Sequence, residues 1–162
     1  MIALRTATAD DAGLILRFIQ ALADYEREPD AVETDEETLR AQLAEPSPPF
    51  ECLIAELDGA AVGFALFFHN YSTWRGRRGI WLEDLFVLPE HRGRGAGKAL
   101  LRRVAALATE RGCARVEWTV LDWNQPAIDF YRSLGAQAMD EWTTHRVADR
   151  ALASLARHER EG

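Results

Sequence analysis

The run Arg92-Gly93-Arg94-Gly95-Ala96-Gly97-Lys98 is the stretch whose residue types and spacing speak most directly of chemistry. Three glycines at alternate positions let the backbone turn with successive N–H groups aimed one way. The apolar periodicity that follows predicts a helix, whose N-terminus adds partial positive charge. With Arg92, Arg94 and Lys98 around it, this is a seat for an anion, and a diphosphate is its natural guest. Two familiar loops are excluded by counting. A Walker A loop ending at Gly97-Lys98 requires glycine at 92 and Ser or Thr at 99, where Arg92 and Ala99 stand. The dinucleotide fingerprint begun at Gly93 and Gly95 requires glycine at 98, where Lys98 stands. Taken alone, the glycines are also compatible with an ordinary turn.

Charge is distributed unevenly. Eight acids (Asp24, Glu26, Glu28, Asp30, Glu33, Asp35, Glu36 and Glu37) face one base, Arg27, between residues 24 and 37. Between His91 and Arg103 there are five bases and no acid. One part of the surface therefore suits cations and another suits anions, although solvated faces would read the same way.

The elements that must position these residues follow from periodicity. Ile2–Thr6 alternates as a strand. Thr8 is placed to cap a helix carrying Leu14, Phe18, Leu22 and Tyr25. Thr34-Asp35-Glu36-Glu37 has the form of a capping box for a second helix reaching about Leu43. Strands 51–57 and 61–68 flank the hairpin signal Asp58-Gly59. A longer loop, 70–78, leads to a strand over 80–88. The long helix after the glycines runs to about Arg111, and strand 113–121 follows. Asn124 caps a helix over 125–134, with Pro126 in its first turn and Gly135 after it. A last strand over 138–147 and a closing helix over 149–157 complete the chain. This is an α+β order: a mixed, mostly antiparallel central sheet with helices on both faces, in one domain spanning 1–162.

The glycine run stands directly after Trp81-Leu82-Glu83-Asp84-Leu85-Phe86-Val87-Leu88-Pro89, and the combination resembles the acetyl-CoA signature of the GNAT N-acetyltransferases. Asp122-Trp123-Asn124-Gln125-Pro126 through Phe130-Tyr131, followed by Gly135-Ala136, resembles that family's later helix. Leu22-Ala23-Asp24-Tyr25-Glu26, Tyr71-Ser72-Thr73-Trp74-Arg75-Gly76 and Val120-Leu121-Asp122 are similar to the diamine acetyltransferase branch, and within it to thialysine N-ε-acetyltransferases. The similarity extends from about Ile2 to Val147.

This resemblance implies an acetyl-CoA-dependent N-acetyltransferase acting on a small cationic amine, working as a homodimer and using no metal. The co-substrate's diphosphate would rest on Arg92, Gly93, Arg94, Gly95, Ala96, Gly97 and Lys98. Its pantetheine arm would lie along Leu85, Phe86 and Val87 at a β-bulge, with Asn124 opposite. A backbone N–H at Leu85 or Phe86 would polarise the thioester carbonyl. Glu83 would be the general base and Tyr131 the general acid. In a regular strand Asp84 would face away from Glu83, whereas a bulge would change that.

Tyr25, Glu26, Trp74, Glu83 and Asp140 are the amine-binding candidates: carboxylates pair with a second cationic group, and Trp offers a π-face to ammonium. Ser72-Thr73 stands where polyamine-type members carry Asp-Pro, which argues against spermidine and spermine. A protein lysine or N-terminal acetyltransferase and a non-catalytic acyl-CoA-binding module remain as alternatives.

Composition bounds the setting. The chain has 162 residues, 48% hydrophobic and 28% charged, the profile of a soluble domain. The N-terminus lacks a signal-peptide pattern and no apolar run is long enough to span a membrane, so a cytoplasmic location without membrane partners is expected. A pI near 5.1 disfavours nucleic acid. Cys52 and Cys113 read as small buried hydrophobes, although one disulfide is arithmetically possible.

Overall fold

Strand β1 (Ile2–Thr6) pairs antiparallel with β2 (Glu51–Leu57), which pairs with β3 (Ala60–Ser72), which pairs with β4 (Arg77–Val87). The short β5 (Val116–Glu117) joins β4 in parallel and completes the order β1-β2-β3-β4-β5. The computed structural model describes residues 1–157. They fall into two compact units, Met1–Leu121 and a segment beginning at Asp122.

The first unit is held by the sheet and by helices α1 (Ala12–Tyr25), α2 (Glu36–Leu43) and α3 (Ala96–Glu110). One face of the sheet supplies Cys52, Ile54, Phe64, Leu66 and Phe86 to a core closed by Ala12, Ile15, Phe18 and Leu39 from α1 and α2. Phe18 stacks on Phe64 with ring centres 5.3 Å apart. Leu53, Ala65, Phe67, Ile80 and Leu82, at the alternate positions, are also buried. Helix α3 packs against β2, β3 and β4 and buries Leu100, Leu101, Val104 and Ala108. Both faces of the sheet are thus covered, as the α+β reading expects.

Local chemistry explains the joints. Asp58 (φ +51°) and Gly59 (φ +85°) form the two-residue turn with two left-handed positions that joins β2 to β3. The Thr8 N–H donates to the Asp11 carboxylate, which also takes two bonds of 2.8 Å from Arg5, tying β1 to the start of α1. Helix α2 is capped by Asp35, whose side chain accepts from the Thr38 N–H at 2.8 Å, and not by Thr34. Both cysteines are free.

Three expected elements differ. The loop over 70–78 is shorter, because β3 and β4 pair out to Ser72 and Arg77 and leave residues 73–76 as the turn. The strand over 113–121 shrinks to Val116–Glu117, because β4 kinks two residues beyond the pairing of Trp81 with Glu117. The strand over 138–147 does not form. Met139, Trp142 and Val147 recur at intervals of three and five residues, not two, and no described strand pairs with the segment.

The second unit contains α4 (Gln125–Ser133) and α5 (Asp149–Arg157). No described helix is long and apolar enough to cross a membrane.

Leu100 is fully buried at the centre of the α3 stripe. Leu100→Ala is therefore expected to cost about 2–5 kcal/mol, read as a lower urea midpoint with an unchanged slope.

Candidate active site

The adjacent β3 residues Leu66 and Phe67 pair with Asp84 and Leu82, so Glu83 is an extra residue in β4, a β-bulge. Trp81 and Glu83 share a face, and the Trp81 Nε1–H donates to Glu83 Oε2 at 2.9 Å. The inserted residue brings Asp84 onto this face as well. Both carboxylates line a cleft of about 400 Å³ together with Ile19, Leu22, Glu26 and Glu33. The regular-strand expectation that Asp84 faces away from Glu83 is thereby corrected.

Helix α1 delivers Glu26 by the way it ends. The Glu26 N–H bonds the Leu22 carbonyl, Arg27 takes φ +65°, and the Glu28 N–H returns to the Ala23 carbonyl. This is a helix stop built on a left-handed residue that is not glycine. Gln20 Nε2 donates to the Pro29 carbonyl at 2.9 Å and ties the next loop back to the helix. That loop carries Glu33 to the cleft wall.

Four carboxylates and, among the described residues, no Lys or Arg line the cleft, an environment complementary to cations. Burial, followed by the neighbouring charges of Glu83 and Glu26, pushes the Asp84 carboxyl up to about 7. Burial also raises Glu26. Near neutrality the cluster is therefore ready to exchange a proton for a cation.

At the other end of β4 the edge toward β5 lies open. Beyond the pairing of Trp81 with Glu117, no strand among the described residues pairs with β4 on that side. The Leu88 N–H bonds the Val62 carbonyl on β3, so the alternation of an antiparallel pair turns the N–H and C=O of Leu85 and Val87 outward and those of Phe86 toward β3. Of the two oxyanion donors considered from sequence, Leu85 is the one facing the open edge. The strand leads through a 3-10 turn (Pro89–His91) into the glycine run. Gly93 (φ +79°) and Gly95 (φ +91°) both need the left-handed region, and nothing lies within 4 Å of where a Cβ would stand. Gly95 is the N-cap of α3, and the first helical residue, Ala96, is buried. The backbone is thus bared ahead of a 15-residue helix, with Arg94 and Lys98 exposed beside it. These features fit a diphosphate.

The remaining candidates are placed less simply. Tyr25 ends α1 with its ring beneath the Arg92 guanidinium. Trp74 is not in the cleft: it stands at the tip of the β3–β4 hairpin, 87% exposed. Ser72 is buried, and its hydroxyl accepts from the Arg75 N–H at 3.2 Å. It serves the hairpin turn, so the inference about polyamines drawn from this position has no counterpart in the cleft. In the second unit, Asn124 Oδ1 accepts from the Ala127 N–H at 3.4 Å as the cap of α4. Tyr131 lies on that helix with its ring 5.6 Å from that of Phe130, and Asp140 is exposed in a turn. Sequence reasoning missed Glu33 as a wall residue; its only signal was membership of the acidic run.

Residues 15–136 match the Acetyltransferase (GNAT) family. The chain belongs to that family. A thialysine N-epsilon-acetyltransferase of Bos taurus is 42% identical over 94% of this chain and 96% of its own length. A spermidine/spermine N(1)-acetyltransferase-like protein 1 of Homo sapiens is 34% identical over 94% of this chain and 23% of its own length. Among solved structures, an integron cassette protein of V. cholerae superposes with a TM-score of 0.79, 24% identity, and coverage of 96% of this chain and 98% of that one. It shares the fold. Membership makes this an N-acetyltransferase and implies acetyl-CoA as co-substrate.

Because folding raises the Asp84 pKa, the folded state binds its proton more tightly than the unfolded one, and stability falls as pH rises through about 7. Asp84→Asn should raise the melting temperature more at pH 8 than at pH 5. Equal shifts at the two pH values would contradict the burial of this carboxyl.

Proposed function

We propose that the protein acetylates a primary amine of a small substrate with a second cationic group, a basic amino acid such as thialysine or a short diamine. The carrying observation is the cleft of Glu26, Glu33, Glu83 and Asp84 beside an open strand edge that leads to a phosphate-type turn. The relatives' names point to the same substrate class.

In this reading the turn over 93–98 holds the diphosphate through its N–H groups, and Lys98 and Arg94 add charge. The edge of Leu85–Val87 and Asn124 hold the pantetheine arm. Acetyl-CoA supplies the activated acyl group. The cleft carboxylates hold the substrate's distal cation and keep its reacting amine at the bulge. Glu83, beside Asp84, accepts the proton that the amine must lose, since alkylamines are mostly protonated at pH 7. The outward N–H of Leu85 donates to the thioester carbonyl oxygen as negative charge develops there. As the new C–N bond forms and the C–S bond breaks, the Tyr131 hydroxyl gives its proton to the departing sulfur and regains one from the nitrogen, which sheds its second proton on becoming an amide.

Thialysine is the better substrate within the class because its thioether lowers the basicity of the amine, so less proton removal is asked of Glu83. A homodimer accompanies this reading. Met139, Trp142, Val147, Leu152 and Leu155 are all exposed in the single chain, apolar surface that a second copy would cover. Light scattering should give about twice 18.2 kDa.

The test is thiol release from acetyl-CoA with a panel of thialysine, ornithine, spermidine and a lysine peptide. Thialysine should give a higher kcat/KM than spermidine at pH 7.5, with the gap narrowing as pH rises. Preference for the peptide over every small amine would overturn the reading. Tyr131→Phe should keep co-substrate binding and lower kcat by about 10²–10⁴-fold.

A further inference from the structure

Arg92 opens the glycine run, and counting charges assigns its guanidinium to a phosphate. The structure gives that group other neighbours. Its Nε–H donates to the Val87 carbonyl at 3.0 Å. Its Cζ lies 4.6 Å from the centre of the Tyr25 ring and 5.5 Å from that of Phe86. The two rings are 6.5 Å apart and tilted by 51°. One side chain thus touches the open edge of β4, a ring of the core, and the last residue of α1. Its own backbone leads into Gly93, the first left-handed position of the turn. Tyr25 in turn is followed directly by Glu26, a wall of the acidic cleft.

We propose that Arg92 is a positioning residue that couples occupation of the 93–98 turn to the amine cleft. The inference rests on the acyl-CoA and amine sites proposed above. A diphosphate on the turn holds the Gly93 pivot, and with it the guanidinium over Tyr25. Tyr25 then holds the end of α1 and keeps Glu26 in the cleft wall. The ordering is done by whichever ligand binds first, so the second binds more tightly. Linkage makes the effect equal in both directions. An exposed contact of this kind belongs near the lower end of the usual coupling range, about fivefold.

The experiment uses CoA, which lacks the acetyl group and cannot react, with thialysine. Calorimetry gives the Kd of each ligand alone and with the other saturating. Wild type should show each Kd tightened about fivefold by the other ligand. Arg92→Lys keeps the positive charge beside the turn but has no planar group for the rings. At CoA concentrations that saturate it, whatever its affinity for CoA alone, it should show no coupling. Tyr25→Phe retains the ring and should retain the coupling, whereas Tyr25→Leu should lose it.

Independent binding of the two ligands by wild type would overturn the proposal, as would full coupling in Arg92→Lys or its loss in Tyr25→Phe. A wild-type protein that binds no CoA would instead refute the acyl-CoA reading beneath it. Binding of CoA without coupling refutes only the role of Arg92.

Discussion

One extra residue in β4, Glu83, governs the arrangement of the site. Were β4 regular through Glu83, the pleat would send Asp84 to the face opposite Glu83 and Trp81, and the cleft would lose its most buried carboxylate. The same insertion bends the strand and increases its twist, and pairing with β5 stops at Trp81. A gap in the sheet and a pair of carboxylates on one face therefore arise from a single irregularity. The cost is local: an interrupted ladder, held by the bond from Trp81 to Glu83 and by the long β3–β4 pairing on either side.

Downstream of the bulge, β4 works as a ruler with opposite charges at its ends. Anionic groups gather at Glu83–Asp84, and the cationic turn begins a few residues beyond Val87. Between them runs an open backbone edge whose outward groups belong to Leu85 and Val87. In the proposed function, an acyl donor with a phosphate handle and an acceptor with a cationic one would be guided toward the same short stretch from opposite directions. The overall charge of −7 conceals this division. It is the placement of charge, not the sum, that matches two oppositely charged reactants.

Much of the framework was legible because it follows from local rules. Asp58-Gly59 demanded a tight hairpin, and the glycines before Ala96 demanded a turn into a helix, both of which formed. The bulge was anticipated in β4 but nearer to Leu85–Val87; its position depends on pairing with β3, which no window of one strand reveals. Asp35 displaced Thr34 as the cap of α2 because both are good acceptors and only the fold decides between neighbours. Trp74 read as an amine-binding candidate by its type, and the hairpin that extends to Ser72 and Arg77 carries it to an exposed tip, a placement that its type does not reveal. Glu33 could not be singled out from an acidic run without knowing how the loop after α1 folds back through Gln20. Residues 138–147 have the apolar content of a strand without its period or a described strand partner, and they stay exposed, with a turn at Asp140 and Glu141.

The central claim is that Asp84 and its neighbours form the seat of a cation. Its most direct test is carbon-13 NMR of the protein labelled at aspartate carboxyls, titrated with and without a saturating diamine. One carboxyl should titrate near 7 in the free protein, and that titration should move down by a unit or more when the cation is bound. Aspartates that all titrate in the ordinary carboxylate range, or a high titration unmoved by the diamine, would contradict the account.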